Sequence, residues 1–128
     1  MRSELPQDVL GRTLPGRVAL RARREAATVV LRHKQLGIWE EISWSDYGNH
    51  FAAAGRALWE MGVRPGDHVA VLSDNRPQWL YADLGAQSIG ARSVGLYQTS
   101  PAGDVAYILN HSETKVLCLL YTSPSPRD

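Results

Sequence analysis

The sequence contains one cysteine, Cys118, so no internal disulfide can form, and a reducing compartment fits. It has no run near the ~20 apolar residues that a membrane span requires. Met1 to Leu14 lack an apolar stretch behind their charges, so a secretory signal is not expected. The cytoplasm is the expected location, with contact to a membrane surface left open. Metal-ligand spacing is also missing: His33, His50, His68 and His111 are widely scattered and have no second cysteine beside them. The net charge of +1 gives no reason to expect nucleic acid as a partner.

What is present is enough for a packed core. Apolar residues make up 44% and charged residues 21% of the 128 positions, which argues against disorder along the whole chain. The charge is uneven. Residues 1–34 carry eight Lys/Arg against three Asp/Glu, and residues 35–128 carry six against ten. Arg17, Arg21, Arg23 and Arg24 could face acidic lipid, but a solvated helix face is the expected reading.

The pattern predicts these elements in order. Residues 1–13 read as irregular. Pro15 suits a first helical turn, and Val18, Leu20 and Ala22 between arginines predict a short helix to about Glu25. Thr28 to Arg32 reads as a strand, Lys34 to Gly37 as a turn, and Ile38 to Ile42 as the returning arm of a hairpin. Ser43 and Asp46 have capping-box spacing. Tyr47, Phe51, Ala54, Leu58 and Met61 then fall on one helical stripe, which Gly62 ends. Arg64-Pro65-Gly66-Asp67 reads as a turn. Strands are predicted from His68, Arg92 and Lys115. Between them lie two helices: one capped by Asn75, with Trp79, Ala82, Ala86 and Ile89 inward, and one opened by Ser100-Pro101, with Val105, Ile108 and Leu109 inward. Strands separated by single helices need crossover connections and therefore run parallel. The expected fold class is α/β: a hairpin and a helix in front of a partial parallel β-α-β-α-β sheet.

Candidate chemistry is sparse. The glycines of Gly85 to Ser93 superficially resemble a phosphate loop, but no lysine follows Gly90, and the segment closes a helix where a phosphate loop opens one. Packing and helix-ending glycines are the expected reading. Glu40 and Glu41 are neighbours in a strand, so they point to opposite faces and cannot act as a paired acid and base. Ligands of open α/β sheets bind beyond the carboxyl ends of the strands. Those ends are Asp74-Asn75-Arg76 and Tyr97-Gln98-Thr99-Ser100, and helix capping is their expected role. No catalytic, cofactor-binding or metal-ligating residue is assigned.

Three stretches together resemble the opening of the long-chain acyl-CoA synthetases, within the adenylate-forming ligase superfamily. They are Leu36 to Gly48, Gly62 to Trp79, and Gly90 to Pro101 with Val105 to Ser112 after it. The resemblance runs from about residue 8 to Leu117 and implies an incomplete N-terminal domain of an adenylate-forming enzyme. A complete relative would join ATP and a fatty acid as an acyl-adenylate with Mg²⁺, and coenzyme A would then displace AMP. The phosphate loop and later motifs that do this lie beyond Leu117 in that family, so this stretch alone is expected to bind no cofactor and to be inactive. Residues 118–128 resemble an in-frame translation of a sequencing-library adapter, and Pro124 and Pro126 interrupt any strand or helix there. The expected division is therefore 1–117, partial domain, and 118–128, non-native tail. Tyr121-Thr122-Ser123 resembles the start of the family's phosphate loop, but prolines follow where backbone donors are needed, and the match is read as coincidence. The alternative reading is a complete small α/β nucleotide-binding or interaction module without catalysis. The lack of a glycine-rich strand-to-helix turn counts against it.

Overall fold

A computed structural model describes residues 11–74 and 76–120. The expected cap at Asn75, the triplet Tyr121-Thr122-Ser123 and the prolines Pro124 and Pro126 lie outside them.

The first helix, α1, spans Leu14–Arg24. The Thr13 side chain accepts a hydrogen bond from the Gly16 N–H at 3.1 Å, and Pro15 occupies the first turn, where its missing N–H leaves nothing unsatisfied. Val18 and Gly16 are buried, while the arginines stay outside. This helix lies close to the next one, because a Cβ at Gly48 would come 2.9 Å from that of Ala22.

Strands β1, Val29–Gln35, and β2, Ile38–Ser43, pair antiparallel. The ladder continues to Gln35 opposite Ile38, so the loop is only Leu36-Gly37, shorter than the turn expected from Lys34 to Gly37. Both loop residues are left-handed, with φ of 53° and 79°. This is the mirror-image turn whose twist matches a two-stranded ribbon, and it lets the strands run to the tip. Val30, Leu31 and Ile42, at the base, pack on the core.

Helix α2, Trp44–Glu60, begins with the predicted capping box. Asp46 N–H donates to Ser43 Oγ at 3.1 Å, and Ser43 N–H donates to the Asp46 carboxylate at 3.4 Å. Tyr47, Phe51 and Leu58 are buried as expected and Ala54 is half-buried, but Met61 is 58% exposed. The helix ends at Glu60, and Gly62 at φ 98° turns the chain away before Met61 can join the stripe.

Three parallel strands follow in the order β4-β3-β5. They are β3, His68–Ser73, β4, Arg92–Leu96, and β5, Thr114–Leu120. The boundary expected between residues 117 and 118 falls inside β5, where Cys118 pairs with Val71 and Leu119 with Leu72. Central β3 buries Val69, Ala70 and Val71 completely. Val69 packs in one cluster with Leu58, Val63, Ala86 and Ala91.

Helix α3, Pro77–Ser88, was expected to bury a single stripe. Instead Pro77, Tyr81, Ala82, Leu84, Gly85 and Ala86 are all buried and Trp79 is half-buried, because the helix is packed between α2 and the sheet. Helix α4, Ala102–His111, leaves Val105, Ile108 and Leu109 only half-buried.

Gly85 and Gly55 mark where α2 and α3 meet. A Cβ at Gly85 would lie 2.8 Å from Gly55 N and 2.8 Å from the Ala54 Cβ. The packing role expected for Gly85 is therefore the observed one. Gly85→Ala should lower the unfolding free energy by about 1–3 kcal/mol, through overpacking that outweighs its helix propensity. Gly103→Ala, with open space around it, should leave the transition unchanged or higher. Urea unfolding followed by circular dichroism decides between them.

Candidate functional site

The carboxyl ends of β3 and β4 enclose a hollow of about 290 Å³ lined by Ser73, Trp79, Gly95, Leu96, Tyr97 and Gln98. Each residue arrives for a local reason. Ser73 ends the buried strand β3, and its hydroxyl donates to the Asp74 carbonyl at 2.8 Å. Gly95 leaves room for the Trp79 ring, which a Cβ there would touch at 3.4 Å. Tyr97 and Gln98 stand exposed where β4 ends.

Beside the hollow, Asp74 and Arg76 form a two-pronged ion pair. Arg76 Nη2 donates to one carboxylate oxygen at 2.9 Å and Nε donates to the other. The Arg76 hydrogen bond holds the Asp74 carboxyl below the usual aspartate range, and the same bond raises Arg76.

The two strand-end loops were expected to cap helices, and of these residues Asn75 lies outside the described ones. The N-cap positions are Arg76 and Pro101, and neither makes a side-chain cap hydrogen bond. Arg76 is turned to Asp74 instead, and proline has no side-chain acceptor. From the second loop, Tyr97 and Gln98 reach the hollow, while the Ser100 N–H closes a turn on the Tyr97 carbonyl at 3.1 Å.

This arrangement is poorly suited to a phosphate. A phosphate cradle needs consecutive backbone N–H donors at a helix start. Here Pro77 removes a donor at the first helical position, and the Arg76 guanidinium is already held by the Asp74 carboxylate.

The other sequence candidates are also separated. Glu41 pairs with Arg32 at 3.2 Å, and Glu40 stands opposite His33 in the hairpin. His50 stacks on Tyr81 with ring centres 4.6 Å apart, and His111 stacks on Tyr107 at 5.5 Å. Among the described residues, no group of three His, Cys, Asp or Glu side chains is placed to hold a metal ion. Burial raises the Cys118 thiol, so its position does not favour a reactive thiolate. Burial also pushes the Tyr47 hydroxyl up to about 12, with Asp83 adding to the effect. Sequence reasoning missed the bond from the Ser93 hydroxyl to Asp83, which also accepts from Gln87 at 3.1 Å. No local signal links a helix residue to a strand residue ten positions later.

The Asp74 carboxyl should titrate below the ordinary aspartate value. Its folded pKa is depressed, so any stability from the pair is present above the ordinary value and is lost as pH falls through the depressed one. A carboxyl-carbon NMR titration should show this low midpoint, and Arg76→Gln should return it toward the usual range.

A profile of the family described as AMP-binding enzyme matches residues 15–126. A long-chain-fatty-acid–CoA ligase of Mycobacterium bovis is 35% identical over 81 residues, which cover 63% of this chain and 14% of that protein. A fatty acyl-CoA synthetase of Dictyostelium discoideum is 40% identical over 63 residues, 49% of this chain and 9% of that protein. The crystal structure of a fatty acid AMP ligase from Legionella pneumophila superimposes with a TM-score of 0.80 at 21% identity, covering 91% of this chain and 21% of that one. That likeness shows a shared fold. The chain spans only a small part of the length of each of these proteins.

Proposed function

The chain belongs to the AMP-binding enzyme family, and on that footing we propose that it is an N-terminal part of an ATP-dependent long-chain fatty acid–CoA ligase. The whole enzyme forms an acyl-adenylate from ATP and a fatty acid, then transfers the acyl group to coenzyme A. In this division of labour the present residues are scaffold. They supply a hairpin, a helical layer and three parallel strands, and they leave the phosphate and carboxylate chemistry to sequence further along the enzyme. The same reading takes residues 118–128 as a non-native tail.

The similarity to the Mycobacterium bovis and Dictyostelium discoideum proteins supports the substrate class. The observation that carries the scaffold role is the β3–α3 turn, where Pro77 and the carboxylate of Asp74 stand at the position suited to phosphate donors. Acyl activation depends on preorganised donors aimed at developing charge, and this turn does not provide them. Fatty acid, ATP, Mg²⁺ and coenzyme A are therefore ligands of the whole enzyme, and nucleic acid is not among its partners.

Calorimetry of the 128-residue chain with Mg²⁺–ATP, and separately with a long-chain fatty acid, should give no saturable heat. Saturable ATP binding would overturn the scaffold reading. The genomic sequence after Leu117 should continue in frame into a loop rich in Thr, Ser and Gly that ends near a lysine.

A further inference from the structure

The tip of the hairpin has a chemistry unlike the rest of the surface. Leu36 is 93% exposed, Ile38 68% and Trp39 62%, and with Gly37 they form four consecutive residues without a polar side chain. Such a run on a soluble surface marks a contact with something apolar. Only the hairpin's base, at Val30, Leu31 and Ile42, joins the core, so the tip projects beyond it.

Turn geometry does not account for this composition. Leu36 holds a φ of 53°, a conformation that is uncommon for a bulky residue. A two-residue turn of this type favours asparagine followed by glycine. Gly37 meets that preference, and position 36 gives it up for an exposed leucine.

The layout of the tip points to one kind of partner. Lys34 Nζ lies 5.9 Å from the Trp39 ring centre, and the exposed Glu40 follows on the strand opposite His33. A little further down the hairpin, the Arg32 guanidinium is held by Glu41. An apolar point, a tryptophan beside it and an ammonium at its rim match the layers of a bilayer interface. The leucine and isoleucine would enter the acyl region, the indole would sit at the headgroups, and the ammonium would reach the phosphates.

We propose that the Leu36-Gly37-Ile38-Trp39 tip docks the protein on a lipid bilayer by shallow insertion, with Lys34 meeting anionic headgroups. The contact needs no spanning helix, and among the described residues no helix is long and apolar enough to be one. It goes beyond the ligase reading and does not depend on it.

The test is flotation of the 128-residue chain with phosphatidylcholine vesicles, with and without phosphatidylglycerol. The chain should float with both, and more strongly with the anionic vesicles. Leu36→Asn suits the turn better than leucine does, so its circular dichroism should match the parent chain, while its partitioning should fall about tenfold. Lys34→Gln should remove the gain from phosphatidylglycerol and leave binding to phosphatidylcholine in place. Met61→Gln, an exposed apolar site away from the hairpin, should change nothing. The proposal is overturned if the parent chain floats with neither vesicle, or if Leu36→Asn floats as well as the parent. It is also overturned if Leu36→Asn dissolves a chain dimer without affecting flotation, which would assign the tip to a second copy.

Discussion

The close approach of α2 and α3 at Gly55 and Gly85 is the contact on which the layering depends. A Cβ at Gly55 would meet Ser88 Oγ at 2.7 Å and the Gly85 carbonyl at 3.0 Å, so neither helix has space for a side chain there. With the two backbones this close, α3 is enclosed between α2 and the sheet and buries residues around most of its circumference. This packing in turn fixes where α3 begins, at the carboxyl end of β3. The Trp79 ring over Gly95 and the Arg76 guanidinium on Asp74 are both consequences of that start point. The strand-end hollow is therefore shaped by a helix–helix contact made at the opposite end of α3.

Much of this was legible in the sequence because its signals are local. The Ser43–Asp46 box, the Tyr47-Phe51-Leu58 stripe and the spacing of the three strands each depend on a few neighbouring residues, and each is found in the structure. The readings that failed depended on distant neighbours. Periodicity gave α3 one apolar stripe, since a single helix cannot show that another helix will cover its second side. Met61 continued the stripe of α2 on paper, but a glycine one position later took the chain off it. The strand-end loops were read as caps from their residue types, but the N-cap positions fall at Arg76, which pairs with Asp74, and at Pro101, which has no side-chain acceptor.

The candidate site was legible as a location and not as chemistry. The rule that ligands lie beyond strand ends picked out the two loops, and Ser73, Tyr97 and Gln98 do line one hollow there. Its chemistry follows from what the turn offers an anion. A proline at the first helical position lacks a donor for phosphate, and the Arg76 charge is already engaged by Asp74. A scaffold role requires no more of these strands than order and position. The family match, covering most of the chain while the chain covers little of its relatives, supports that assignment.

The sheet shows the same dependence on surroundings. On the face of β3 toward α3, Val69 and Val71 are completely buried, and their neighbours Val116 and Cys118 pack against the same cluster. On the opposite face Ala70 and Leu96 are buried, Leu72 is half-buried and its partner Leu119 is exposed. Parallel sheets are stable when both faces are covered. Across the Leu96–Leu72–Leu119 row the cover thins toward β5. That asymmetry differs in kind from the hairpin tip, where the apolar residues stand on a two-stranded ribbon separate from the three-stranded sheet. The tip retains an exposed leucine in a turn that would favour asparagine, which is the character of a surface shaped for a partner outside the fold.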